Sequence, residues 1–76
     1  MSIKVYTKSN CPNCVKAKNI LNSLQCSFDE IDIEKDTNAR EFLLSEGHRS
    51  VPQIYSDDTL IGSVDNLSRE RILSFA

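Results

Sequence analysis

The chain has 76 residues, 39% hydrophobic and 26% charged, which leaves room for one compact domain with a thin core and excludes a multidomain enzyme. Nine Lys and Arg against eleven Asp and Glu give a net charge of −2, which argues against nonspecific binding to nucleic acid or to an anionic membrane. The longest apolar run, Phe42-Leu43-Leu44, is far short of the roughly 20 residues a spanning helix needs, and Met1-Ser2-Ile3-Lys4 has no apolar signal-peptide core, so a soluble, cytoplasmic protein is expected.

In chain order, Ile3-Lys4-Val5-Tyr6 alternates apolar with polar residues and predicts a short strand. From Pro12 to Gln25, the positions Cys14, Ala17, Leu21 and Leu24 recur at steps of three and four, the period of an amphipathic helix. Proline suits a first helical turn, and Ser9 or Asn10 is the expected cap. Phe28 to Ile33 predicts a second strand, and Thr37 to Glu46 a second helix, capped by Asp36 or Thr37 and ended by Gly47. Gln53 to Ser56 and Thr59 to Ile61 read as a hairpin around Asp57-Asp58, with Gly62 breaking the strand. The tail from Asp65 to Ala76 is helical by composition, with Asp65 as its cap. This β-α-β-α-β-β-α order predicts an α/β fold with a small mixed sheet.

The chemistry centres on Cys11-Pro12-Asn13-Cys14 at the mouth of the first helix. Side chains three apart on a helix lie roughly 5–6 Å apart at Cβ, so small torsional adjustments can close a disulfide. Cys11 is expected to be the exposed sulfur, with the unpaired N–H groups of the helix start and the nearby Lys8 favouring its thiolate, while Cys14 sits one turn deeper. Such a pair can exchange disulfides: Cys11 attacks, and Cys14 resolves the mixed disulfide. Structural packing of the two cysteines and a zinc site completed by Cys26 and His48 are the rival readings. Zinc is disfavoured because Cys26 follows the far end of the helix, roughly 15 Å from Cys14 if the intervening chain is helical. Cys26 otherwise reads as a small buried hydrophobe or an oxidation-prone thiol, and His48 as a loop residue at a helix end.

Three blocks then carry a resemblance over essentially the whole chain: Tyr6 to Cys14, Gly47-His48-Arg49-Ser50-Val51-Pro52-Gln53-Ile54-Tyr55, and Ile61-Gly62-Ser63-Val64-Asp65-Asn66-Leu67. In order and spacing the chain resembles a glutaredoxin of the dithiol Cys-Pro-x-Cys type. The resemblance implies a thioredoxin-like fold, a four-stranded mixed sheet flanked by three helices over residues 1–76. It also implies a glutathione-dependent thiol-disulfide oxidoreductase that reduces protein disulfides and glutathione mixed disulfides, with ribonucleotide reductase a candidate electron acceptor. Glutathione is then the reducing co-substrate; no bound cofactor, no metal and a monomeric state are expected.

The catalytic residues implied are Cys11 and Cys14, and the glutathione-binding residues Lys8, Val51, Pro52, Ser63, Val64 and Asp65. The resemblance also implies a cis Val51-Pro52 bond, with the Val51 backbone pairing with the substrate cysteine as an added strand does. The turn at Gly62 to Asp65 would receive the γ-glutamyl carboxylate, Asp65 the α-ammonium, and Lys8 the glycyl carboxylate, with Arg49 and Arg40 as its alternatives. Three positions depart from the family pattern: Asn13 replaces an aromatic residue, Ser63 the second glycine of a pair, and Asn66 a frequent aspartate. They leave open a redoxin reduced by a flavoprotein reductase. Iron–sulfur cluster sharing is discounted because Pro12 is present.

Overall fold

The structure, a computed structural model, describes residues 3–67 and residue 70. Alternating β-prone residues form β1 (Ile3–Thr7), which lies between β2 (Asp29–Asp32) on one side and β3 (Gln53–Ser56) on the other. β4 (Thr59–Gly62) closes the sheet in the order β2-β1-β3-β4. The β1–β2 pair is parallel and joined through α1 (Pro12–Ser23), as a parallel pair requires a crossover, whereas β3 pairs antiparallel with both β1 and β4. α2 (Thr37–Ser45) connects β2 to β3.

The sheet buries side chains on both faces. Ile3, Val5, Ile54 and Ile61 meet Ala17 and Leu21 of α1 together with Val64, while Tyr6 and Tyr55 meet Leu43 of α2. The second cluster is aromatic: the Tyr6 and Tyr55 rings meet edge to face at 5.7 Å, and Phe42 lies 5.3 Å from Tyr55 at the rim. A polar clip also ties α1 to the sheet, with the Lys18 ammonium 2.8 Å from the Glu30 carboxylate and the Thr7 hydroxyl donating to that same carboxylate at 3.0 Å. The Lys18 bond, joined by the Thr7 bond, holds the Glu30 carboxyl below its usual range.

Several expected boundaries move. β1 runs one residue further, to Thr7, β2 is confined to Asp29–Asp32, and Gly62 is the last residue of β4 rather than a break outside it. Among the described residues there are two α-helices, not three. Val64–Asn66 forms a short 3-10 turn that contains Asp65 rather than being capped by it, and most of the helix expected to Ala76 lies outside the described residues.

Both helices end in the same hydrogen-bonded motif. Gly47 (φ +84°) donates to Leu44 O and His48 to Leu43 O, the pattern glycine makes easy. α1 ends the same way one turn past Asn22, but its left-handed residue is Gln25 (φ +58°), exposed and bearing a Cβ. A left-handed L-residue costs about 1–2 kcal/mol, part of which a glycine returns through the greater freedom of the unfolded chain. Gln25→Gly is therefore expected to stabilise the protein by about 0.5 kcal/mol, a rise of roughly 2–4 °C in a thermal melt. A fall in Tm would contradict this account of the helix end.

Candidate active site

The backbone that presents Cys11 is shaped by its immediate neighbours. β1 stops at Thr7, Asn10 takes a left-handed conformation (φ +55°), and Cys11 follows in an extended one (φ −118°, ψ 98°). Pro12 then opens α1 with its fixed φ and no N–H to satisfy. Neither Ser9 nor Asn10 caps the helix, because the residue with cap geometry is Cys11 itself. Its sulfur accepts the Cys14 N–H at 3.2 Å, while its carbonyl accepts from Cys14 at 3.1 Å and Val15 at 3.2 Å. A sulfur in the place of a capping oxygen sits where helix N–H groups and the positive end of the helix favour negative charge.

Cys11 and Cys14 are joined as a disulfide, with Cα atoms 5.2 Å apart. Cys14 is 2% exposed among the α1 core positions, and Cys11 is half-buried, so Cys11 is the more accessible sulfur. The Val51–Pro52 bond is cis, and Val51 O lies 3.8 Å from Cys11 Sγ. The loop that carries this carbonyl is held from behind: Gln53, 7% exposed, donates its side-chain amide to Ser50 O at 3.0 Å.

On the other side of Cys11, Ser9 anchors the approach loop. Its backbone N–H donates to the Glu34 carboxylate at 2.7 Å, and its hydroxyl donates to the same oxygen. The Ser9 hydroxyl, then its N–H, with Lys8 and Lys35 nearby, hold the Glu34 carboxyl below its ordinary value.

A groove of about 350 Å³ runs from Val51, the residue whose carbonyl neighbours Cys11 Sγ, across α2, and neither cysteine is part of its lining. Lys8, Arg40 and Arg49 line it with Glu34 and His48, and Ile33, Leu43 and Leu44 supply apolar wall. The His48 ring is fixed by a 2.8 Å hydrogen bond between Nε2 and the Tyr55 hydroxyl. Burial, then the Glu46 charge, then Tyr6 raise the Tyr55 phenol above its usual range.

The expected glutathione residues divide. Lys8 and Val51 line the groove, joined by both alternative cations, Arg40 and Arg49. Pro52 is buried and is not part of its lining. Ser63, Val64 and Asp65 are also outside the lining; the Val64–Asn66 turn packs against α1 and β4, with Val64 buried and Asp65 exposed. Cys26 follows the C-terminal end of α1, the opposite end from Cys11, half-buried against the core on the α1 side. Among the described residues no group of three or more His, Cys, Asp and Glu is placed to hold a metal. No helix among them is long and apolar enough to cross a membrane.

Sequence reasoning missed Ser9–Glu34, Gln53–Ser50 and His48–Tyr55. Only the last had a signal, a histidine next to a helix-ending glycine in the block that carries Val51-Pro52.

The family model for glutaredoxin matches residues 3–61. Glutaredoxin 3 of Escherichia coli K12 is 39% identical over 67 residues, covering 87% of this chain and 81% of its own. Among solved structures, the glutaredoxin-like protein NrdH-redoxin from Escherichia coli, described as having a thioredoxin-like activity profile, superposes with a TM-score of 0.84 at 24% identity over 95% of each chain. A buckwheat glutaredoxin solved as a glutathione complex superposes at 0.74 with 19% identity, over 96% of this chain and 70% of that one. At those identities the two structures establish the thioredoxin-like fold.

Proposed function

This chain belongs to the glutaredoxin family, and from that premise we propose that it is a glutathione-dependent reductant of protein disulfides and glutathione mixed disulfides, with Cys11 as nucleophile and Cys14 as resolving thiol. The family's activity is thiol-disulfide oxidoreduction. The observation that carries the assignment of roles is the Cys14 N–H donated to Cys11 Sγ at 3.2 Å, which puts the accessible sulfur on the helix N-terminus and the buried one behind it.

The chemistry balances without a bound cofactor. The Cys11 thiolate attacks one sulfur of the substrate disulfide, a new S–S bond forms to Cys11, and the other sulfur leaves as a thiolate and takes up a proton. The Cys14 thiolate, its proton lost to solvent, attacks Cys11 Sγ and releases the second substrate thiol. Two electrons have then passed to the substrate and the Cys11–Cys14 disulfide remains. Reduced glutathione opens that disulfide through a mixed disulfide at Cys11, and a second glutathione restores the dithiol as oxidised glutathione leaves.

The backbone of Val51, with its carbonyl 3.8 Å from Cys11 Sγ, can pair with the substrate cysteine's backbone and line up the incoming sulfur. Lys8 in the groove suits the glycyl carboxylate. Ser63, Val64 and Asp65 would hold the γ-glutamyl end through the turn beside α1, and Pro52 would shape the floor. We place the protein in the cytoplasm as a single-domain monomer, with ribonucleotide reductase among its candidate acceptors.

The test is turnover coupled to glutathione reductase, with the native chain beside Cys14→Ser. The single-thiol variant is expected to keep at least about a tenth of native turnover on a glutathionylated substrate, where glutathione itself can resolve Cys11, and to lose more than about 100-fold on a protein disulfide. Equal loss on both substrates would remove the division of labour. Turnover supported by a thioredoxin reductase and not by glutathione would replace the reductant while leaving the two sulfur roles in place.

A further inference from the structure

The groove that reaches Val51, whose carbonyl neighbours Cys11 Sγ, carries a cluster of positive charge. Lys8, Arg40 and Arg49 all line it, from the β1 end, from α2 and from the loop before Val51. Among the described residues none of the three forms a salt bridge; the groove's one carboxylate, Glu34, accepts from Ser9 and lies near Lys8, and three cations against that single carboxylate leave the groove net positive. The local charge thus opposes the sign of the whole chain, which is −2. Leu44 adds an apolar strip that is 58% exposed along the same groove.

We propose that this groove selects protein substrates in which acidic residues flank the reactive disulfide, with Lys8, Arg40 and Arg49 reading the flanking carboxylates while Cys11 performs the exchange. The inference rests on the reading of Cys11 as nucleophile and names the substrate class served by that site. A cation cluster at the mouth of a site raises the local concentration of anionic substrate and orients it before contact, chiefly through the association rate. Arg40 and Arg49 can add fork-shaped contacts to a carboxylate. The apolar strip accommodates a hydrophobic residue in the same segment. The electron flow is the exchange already described: the flanking residues take no part in it.

The experiment uses the full chain and synthetic disulfide peptides that differ only at the flanking positions, aspartate in one set and serine in the other. At an ionic strength of about 0.02 M, kcat/KM for the acidic peptide is expected to exceed that for the serine peptide about tenfold, shrinking to about twofold or less at about 0.5 M as screening shortens the reach of the charges. In the Arg40→Gln, Arg49→Gln double variant the low-salt ratio is expected to fall below about threefold. Reading a ratio makes the result independent of any uniform loss of activity in the variant. A native ratio near one at low salt, or a tenfold ratio that survives in the double variant, overturns the proposal. The two levels separate cleanly: if Cys11→Ser still turns over the serine peptide, the nucleophile assignment fails and the substrate preference falls with it. If Cys11 is required and the ratio is flat, only the preference fails.

Discussion

Cys11→Ser is expected to reduce turnover of both glutathione mixed disulfides and protein disulfides by about 1000-fold or more, while leaving the protein folded. The argument for the first half is chemical. Exchange needs an anionic sulfur that can both attack and be attacked, and a serine hydroxyl, which stays protonated at neutral pH, provides neither a thiolate nor an exchangeable S–S bond. The argument for the second half is structural. Cys11 holds the cap position of α1, with its side chain accepting from Cys14 N, and serine is among the residues that fill that position best. The variant should therefore melt, in the reduced state, within a few degrees of the native dithiol protein, which separates lost chemistry from lost structure. The same protein should also lose the rapid alkylation at neutral pH that marks an accessible thiolate. More than about a hundredth of native turnover in a folded Cys11→Ser protein would show that another group makes the attack.

The largest expected effect on stability comes from Leu21→Ala. Leu21 is 0% exposed and belongs, with Val5 and Ile54 of the sheet, to the core cluster that α1 covers together with Val64. Removing its branched end leaves a cavity in a tightly packed core, at a cost of about 3 kcal/mol. A chain of this length has a total stability of roughly 4–11 kcal/mol, so the variant would lose about a quarter or more of it and melt roughly 12–24 °C lower. Leu44→Ala is the matched control: Leu44 is on α2 with 58% of its surface exposed, and the expected change is within about 0.5 kcal/mol. Denaturant titration of the two variants checks both numbers, and a cost under about 1 kcal/mol at Leu21 would mean that the α1 side of the core is looser than its burial indicates.

Particular elements show why some features were legible in the chain alone. The period of Cys14, Ala17, Leu21 and Leu24 placed α1, and three of those four are buried in it or cap its core face. Asp36 was readable as a cap because a carboxylate before a helix has a local partner, and its side chain does accept the Ala39 N–H at 3.0 Å. Gly47 was readable as a stop because its left-handed backbone suits glycine. The departures are equally local in origin. The true cap of α1 was missed because sulfur is a rare capping acceptor, so the hydroxyl and amide just before it looked better.

The site itself divides along the same line. By itself the amino-acid order determined α1 and α2, the hairpin, the cysteine pair at a helix mouth and, through three matched blocks, the family, because each of these elements and blocks depends on residues within a few positions of one another. Tertiary structure alone decided that Lys8, Arg40 and Arg49 share one groove, that Ser9 reaches Glu34, and that Val51 O stands beside Cys11 Sγ. Arg40 and Arg49 apart, those partners are 25 to 41 residues from one another in the chain. They meet because β1 is paired on one side with β2 and on the other with β3, and strand pairing between distant segments is set by the register and closure of the whole sheet, not by any local preference.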